Sequence, residues 1–445
     1  MKPKPRLLLN CAGFLAAIAI CTPLSARAWY VVLPFTAAFT PPQECGLKVG
    51  LSRRHEIMKN TNALGSIDFV AFADLRDFVI HGAEKHRNWE LADTSSQTST
   101  PHEDADVARL RQGAEHGNAN AQYDLGVRYA TGKGVAHDDA EAARWIGRAA
   151  AQGHVDAQFS LGLMYADGNG VAQDSVQAVA WLHKAADQGD ARAQSNLGLM
   201  YANGSGVAHD PAQAMAWYRK AAEHGEVTAQ FSLGLMYANG DGVQKDAAEA
   251  ALWFRKAADQ GHAMAQFNLG LMYANGAGVL TDPAQAAHWF RTAADQGDLT
   301  SQFMLGVMYA NGTGVVQNDE QAVEWYRKAA NQGLASAQTN LGARYAGGRG
   351  IKQDASQAAV WFRKAAEQGD ASALFNLGVL YANGSGVEPD AIEAYKWLSL
   401  AVTRGSGDEQ KDYAAARDTV AGVLTAQQVA EAQRRAQQWT ERRTQ

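Results

Sequence analysis

Five asparagines recur at one fixed place along a periodic stretch of the chain: Asn203, Asn239, Asn275, Asn311 and Asn383. Each stands two positions after a tyrosine, and Phe231, Phe267 and Phe303 lie two helical turns before the central three. Steps of four and four through Leu235, Leu271 and Val307 keep each trio on one helix face. An amide both donates and accepts hydrogen bonds, so amides beside aromatic rings suit an extended peptide. The rings supply apolar contact, and the amides satisfy its backbone groups. Rings at this spacing equally suit packing between adjacent helices, and asparagine suits the geometry of a helix end. Both readings are open on the sequence.

Other chemistry has little support. No two histidines stand three or four residues apart, so no helical metal site is visible. His116, His224 and His262 fall near unit starts, where turn or solvent roles suit them. There is no S-x-x-K, G-x-S-x-G or P-loop pattern. A repeated G-x-G lacks the third glycine and follows a helix rather than a strand, which removes a nucleotide reading. The formal charge of −6, with 19% charged residues, offers no basic field for nucleic acid. The three cysteines, Cys11, Cys21 and Cys45, precede the periodic region, which therefore has neither disulfides nor thiolate metal ligands. No catalytic residue, metal or cofactor is expected.

The elements that position the asparagines follow from the period. Leu-Gly recurs from Leu125-Gly126 to Leu377-Gly378 at a spacing of 36 residues (Leu125, Leu161 and onward), and a tryptophan follows each copy, from Trp145 to Trp397. Periods of this length signal stacked helical repeats. In the unit from His154 to Gly189, Ala157, Leu161, Met164 and Tyr165 share a helix face, and Gly168 and Gly170 make the reversal. Gly162 inside that helix implies a neighbour too close for a Cβ. A second helix begins at Asp174, whose pairing with Gln177 reads as a capping box; Asn318/Gln321 keeps that register although Asp319 is adjacent. Trp181 anchors this second helix.

The expected architecture is all-α: an α-solenoid of about eight 36-residue helix-turn-helix repeats with capping helices at both ends. Residues 103–117 give an N-terminal capping helix with Arg109 where tryptophan would stand, and 118–405 give the repeats. Residues 406–445 give C-terminal capping helices, about Asp408 to Ala421 and Ala426 to Trp439, with Thr425 as a cap and Leu424, Val429 and Trp439 packed inward. Arg128 and Lys133, and Arg344, Arg349 and Lys352, are basic where other copies are neutral, and read as solvated charges that an acidic partner could use.

The N-terminus reads as a secretory signal over residues 1–28. Lys2, Lys4 and Arg6 precede the apolar stretch Leu7 to Ile20, and Ala26-Arg27-Ala28 offers the cleavage site. The stretch is shorter than the roughly 20 residues needed to span a bilayer. A periplasmic or secreted location is expected, without a transmembrane span after cleavage. A start at Met58 would instead make the protein cytoplasmic. Residues 29–93 have no assignable structure, and 94–102 form a polar linker.

The unit A-x-A-Q-F-N-L-G-L-M-Y-A-N-G-x-G-V-x-x-D-x-x-Q-A-x-x-W-F-R-K-A-A-x-Q-G resembles the Sel-one-like repeat family, relatives of the tetratricopeptide repeat, over about residues 118–405. The resemblance implies antiparallel helix pairs in a right-handed superhelix whose first helices line the concave side. It places Asn203, Asn239, Asn275, Asn311, Asn383, Phe231, Phe267 and Phe303 on that side. It also implies a non-catalytic adaptor for a protein or peptide partner, with bacterial relatives serving secretion or the envelope. The alternative it carries is an envelope enzyme or a β-lactam- or peptidoglycan-binding protein. A cysteine-rich branch linked to β-lactams has a disulfide in each repeat, and this chain's repeats contain no cysteine.

Overall fold

The structure, a computed structural model, describes residues 105–444, and every regular element among them is an α-helix. The signal segment, residues 29–93, the linker and residues 103–104 lie outside the described residues. The described residues form two compact units: 105–272 with 276–280, and 273–275 with 281–444.

The first unit opens with α1 (Ala105–Glu115). Helix pairs follow: α2 (Ala119–Thr131) with α3 (Asp139–Ala151), α4 (Val155–Asp167) with α5 (Ser175–Asp187), α6 (Ala191–Asn203) with α7 (Pro211–Glu223), and α8 (Val227–Asn239) with α9 (Ala247–Asp259). Most of α10 (Ala263–Asn275) belongs here too. The second unit holds α11 (Pro283–Asp295), α12 (Leu299–Asn311), α13 (Asp319–Asn331), α14 (Ala335–Gly347), α15 (Ala355–Glu367), α16 (Ala371–Asn383) and α17 (Ala391–Arg404). It ends with α18 (Gly407–Ala421) and α19 (Ala426–Thr444). The result is the helical solenoid-like repeat fold that the periodicity predicts.

One repeat shows why these residues fold so. Ala157 and Leu161 of α4 share a buried cluster with Ala142, Ile146 and Ala149 of α3, and Ala178, Leu182 and Ala185 of α5 share the next one with Ala193 and Leu197 of α6. Gly162 lets α4 and α5 close, because a Cβ there would lie 2.8 Å from Leu182 Cγ. The same position meets Tyr218 at Gly198 and Phe254 at Gly234. The mid-helix glycine therefore costs ~1 kcal/mol of helix propensity and gains a bulky side chain laid against bare backbone. Gly168, at φ 78°, ends α4 by donating to the Met164 carbonyl at 2.8 Å. Gly170 lies against the Asp139 carbonyl of the preceding repeat, where any Cβ would overlap it.

Asp174 caps α5, accepting from the Val176 and Gln177 N–H groups at 3.0 Å. Asn318, not Asp319, does the same for α13. The expected reciprocal half of the capping box is not made. The Asp174 N–H instead donates to the Tyr165 carbonyl at 2.8 Å, so it is already occupied when Gln177 arrives. Asp138, Asp210 and Asp246 repeat this bond to Tyr129, Tyr201 and Tyr237. A complete box forms only where no such tyrosine precedes: Thr425 and Gln428 exchange bonds of 2.9 and 3.3 Å. Its helix runs past Trp439 to Thr444, since no glycine or proline stops it and Arg434 and Arg435 pair with Glu431 inside it. Trp439 packs edge-on against Trp397, ring centroids 6.0 Å apart, while Leu424 and Val429 pack on Val420 and Ala432.

Candidate functional site

Each expected asparagine stands at the C-terminal end of a first helix, just before its left-handed glycine. In the first unit Asn203 and Asn239 are exposed, and the Asn239 amide donates to Asp241 at 3.3 Å. In the second, Asn311 is exposed and Asn275 and Asn383 are half-buried. The Asn275 Oδ1 is shielded from solvent without a hydrogen-bond partner.

The phenylalanines lie deeper. Phe231, Phe267 and Phe303 are 4%, 7% and 3% exposed. Phe231 stacks on His262 at 4.5 Å and tilts against Phe254 at 5.7 Å; Phe303 tilts against Tyr326 at 5.8 Å. These rings belong to the packing between helices rather than to an open ladder: Phe254 and Tyr326, on the second helices of the same repeats, pack on Phe231 and Phe303. Phe159 is half-buried, with the Arg192 guanidinium 4.5 Å above it. Arg192 is held there by Asp190 and Asp156. Burial raises the Asp190 pKa, but hydrogen bonds from Arg192 and the Ala193 N–H, together with the Arg192 charge, outweigh it and hold the carboxyl below its ordinary value.

Of the basic residues of the seventh copy, Lys352 is exposed as expected, but Arg344 and Arg349 are not. Arg344 is buried, not solvated, and pairs with Asp319, which Arg349 approaches at 3.5 Å. Its guanidinium carbon lies 5.9 Å from the centre of the Tyr326 ring, whose hydroxyl is pushed up to about 12 by burial. His154 and His262 are neither ligands nor free surface groups. Their Nδ1 atoms cap α4 and α10, accepting N–H groups at 3.2 Å. No cluster of groups able to hold a metal ion is present among the described residues.

The Sel1 repeat family profile matches residues 119–154, 155–190, 191–226, 227–262, 263–298, 299–334, 335–370 and 371–406, without a gap. The chain belongs to the Sel1 repeat family. A solved Sel1 repeat protein from Oxalobacter formigenes is 34% identical, over 73% of this chain and 97% of that one, with a TM-score of 0.53. A protective antigen of uropathogenic Escherichia coli with an SLR fold is 33% identical, covering 76% of this chain and 95% of that one, with a TM-score of 0.48. Helicobacter pylori cysteine rich protein B is 28% identical, over 29% of this chain and 92% of that one, with a TM-score of 0.24. No curated protein matches. Sel1 repeats build helical scaffolds, as a rule non-enzymatic, that typically serve protein–protein interaction.

Three bonding series in these Sel1 repeats carry no sequence expectation. Buried glutamines join repeat to repeat: the Gln158 amide donates to the Ala150 carbonyl at 3.2 Å, and its Oε1 accepts from Gln188 at 2.7 Å. Gln230 and Gln260 repeat the link in the first unit, as do Gln302 and Gln332 in the second. A lysine covers the face of most tryptophans, as Lys256 does at 3.8 Å from the Trp253 centroid. Finally, the residue two after a tryptophan reaches the tyrosine of the next repeat. Arg219 donates to the Tyr237 hydroxyl at 2.7 Å, Arg363 to Tyr381 at 2.7 Å, and Arg291 to Tyr309. The spacing of this last pair repeats along the sequence, so an alignment of the repeats could have found it.

Proposed function

We propose that this Sel1 repeat protein is an exported, non-catalytic adaptor that holds a protein or peptide partner on the face formed by its first helices. The observation carrying this reading is the set of amides at first-helix ends, exposed at Asn203 and Asn239 in one unit and at Asn311 in the other, where Asn383 is half-buried. Each amide offers both a donor and an acceptor, as an extended backbone requires. Phe231 and Phe303, behind Asn239 and Asn311, are fixed by Phe254 and Tyr326 of the paired helices, which keeps that face rigid and limits the ordering entropy of binding. Export is supported by the basic, apolar and Ala-x-Ala order of residues 1–28. No helix among the described residues is long and apolar enough to cross a membrane.

The test is capture from envelope extract by the wild type and by Asn203→Lys/Asn239→Lys. A discrete partner recovered by the first and lost by the second, at equal helicity, supports the reading. Equal recovery overturns it. Sequencing the mature N-terminus tests export: Trp29 supports it, and Met1 or Met58 contradicts it.

A further inference from the structure

In the first unit one repeat junction departs from the bonding series. In the first unit Arg111 donates to Tyr129 at 2.8 Å, His183 lies 3.3 Å from the Tyr201 hydroxyl, and Arg219 reaches Tyr237. The corresponding residue between the first and second repeats is Gly147. Its tyrosine, Tyr165, has no hydroxyl partner in its place among the described residues. The tryptophan behind it is more exposed as well, although Lys184 lies over one face of its ring at 3.4 Å. His183 packs edge-on against Trp217 at 5.3 Å, and Trp217 and Trp253 are each 8% exposed, whereas Trp181 is only half-buried. A cavity of about 520 Å³ opens there, lined by Gly147, Arg144, Arg148, Tyr165, Val171 and Trp181. The glycine is not demanded by packing. A Cβ on Gly147 would meet nothing nearer than Leu161 Cδ2 at 4.0 Å.

The charges that face this cavity are basic. Arg148 rests on the outer face of Trp145, its guanidinium carbon 4.5 Å from the ring centre, and has no carboxylate partner among the described residues. Arg144 lies 5.4 Å from the same ring and shares one edge with Glu141 at 2.6 Å. No carboxylate lines the cavity. Two guanidinium groups and a tyrosine hydroxyl are donors suited to an oxyanion, and the Trp181 face is an apolar floor for the carbons that carry it.

We propose that this cavity is a binding subsite for a carboxylate side chain of an acidic peptide segment, with a neighbouring apolar residue on Trp181. The proposal shares with the adaptor reading only that the ligand is a protein; it does not depend on the asparagines.

The test is titration, by fluorescence anisotropy, of a labelled, end-blocked hexapeptide alternating glutamate and leucine. A lysine–leucine peptide of the same length serves as the comparison. The full chain should bind the glutamate peptide and prefer it at least about tenfold over the lysine peptide. Gly147→Arg, which rebuilds the neighbouring junctions, should lower affinity about tenfold or more, and so should Arg148→Ala, while Gly147→Ala should retain binding. Circular dichroism confirms that each variant is folded. No binding to the wild type, full affinity in Gly147→Arg, or equal affinity for the lysine peptide overturns the proposal. Asn203→Lys/Asn239→Lys should bind the glutamate peptide normally, so failure of the adaptor reading registers separately.

Discussion

Two junctions of the first unit are built from the same parts and end differently. Between the third and fourth repeats, Arg219 bridges to the Tyr237 hydroxyl and Trp253 is buried beneath Lys256. Between the first and second, Gly147 leaves Tyr165 unbridged and Trp181 half-exposed, although Lys184 still covers that ring at 3.4 Å. The helices, caps and glycine contacts around the two are alike. The lattice of a repeat protein therefore tolerates loss of a bridging side chain, because stability is spread over nearest-neighbour interfaces. A departure from the repeat can then serve binding without dismantling the fold.

The largest expected effect separates the two tryptophans. Trp253→Ala should cost ~3–5 kcal/mol, with Trp181→Ala costing about half, since less of the latter ring leaves water on folding. Urea denaturation followed by circular dichroism measures both, and equal losses would erase the distinction between closed and open junctions. Overpacking comes next: Gly234→Val drives a branched side chain into Phe254 and should cost ~1–3 kcal/mol or more. Gly147→Val should cost far less, because its surroundings are open. Losing the cap in Asp246→Ala should cost ~0.5–2 kcal/mol, and Asp174→Ala the same, since capping does not distinguish the two regions. Exchanging the bridging residue is smaller again. Gly147→Arg should stabilise by about 1 kcal/mol through helix propensity, and Arg219→Gly should destabilise by at least as much. Gly147→Ala separates propensity from the bridge.

The smallest effect lies in the second unit, where α18 packs near the cap of α16. Burial raises the pKa of Asp370, and burial with the Asp370 charge raises that of Glu409. Asp412 is raised by burial and Asp408, against Lys411. Folded-state values above the unfolded ones mean that this contribution to stability is complete below the ordinary values of 3.8 and 4.5 and is lost as pH rises through the raised values. Glu393 acts oppositely: burial raises it, yet hydrogen bonds from Lys396 and Arg435 hold it lower, so its contribution fades as pH falls. Hydrogen exchange in α18, corrected for intrinsic rates, should speed up from pH 4.5 to 7.5 in the wild type. The rise should shrink in Asp370→Asn, which keeps the cap; an undiminished rise would remove Asp370 from the account.

The fold was legible because its causes repeat. Leu-Gly, the tryptophan, the Asp or Asn cap and the double glycine each answer a packing or backbone demand that returns every repeat. The buried glutamines were present in the same motif but unread, since a helical glutamine looks like a solvated one until its partner, 30 residues away, is known. Arg344 looked solvated for the same reason: Asp319, which neutralises it, lies 25 residues earlier. Phe231, Phe267 and Phe303 lie deeper than an open ladder requires, because periodicity shows which residues align but not what covers them. Gly147 was missed because unusual charges draw attention, whereas a missing one is visible only beside Arg111, Arg219 and Arg363.

The central claim is that one glycine separates an open junction from a closed one. Hydroxyl-radical footprinting read by mass spectrometry tests it at the level of single tryptophans. Trp181 should oxidise several-fold faster than Trp253 in the wild type, and in Gly147→Arg its rate should fall to that of Trp253. Equal rates in the wild type, or no change in the variant, would contradict it.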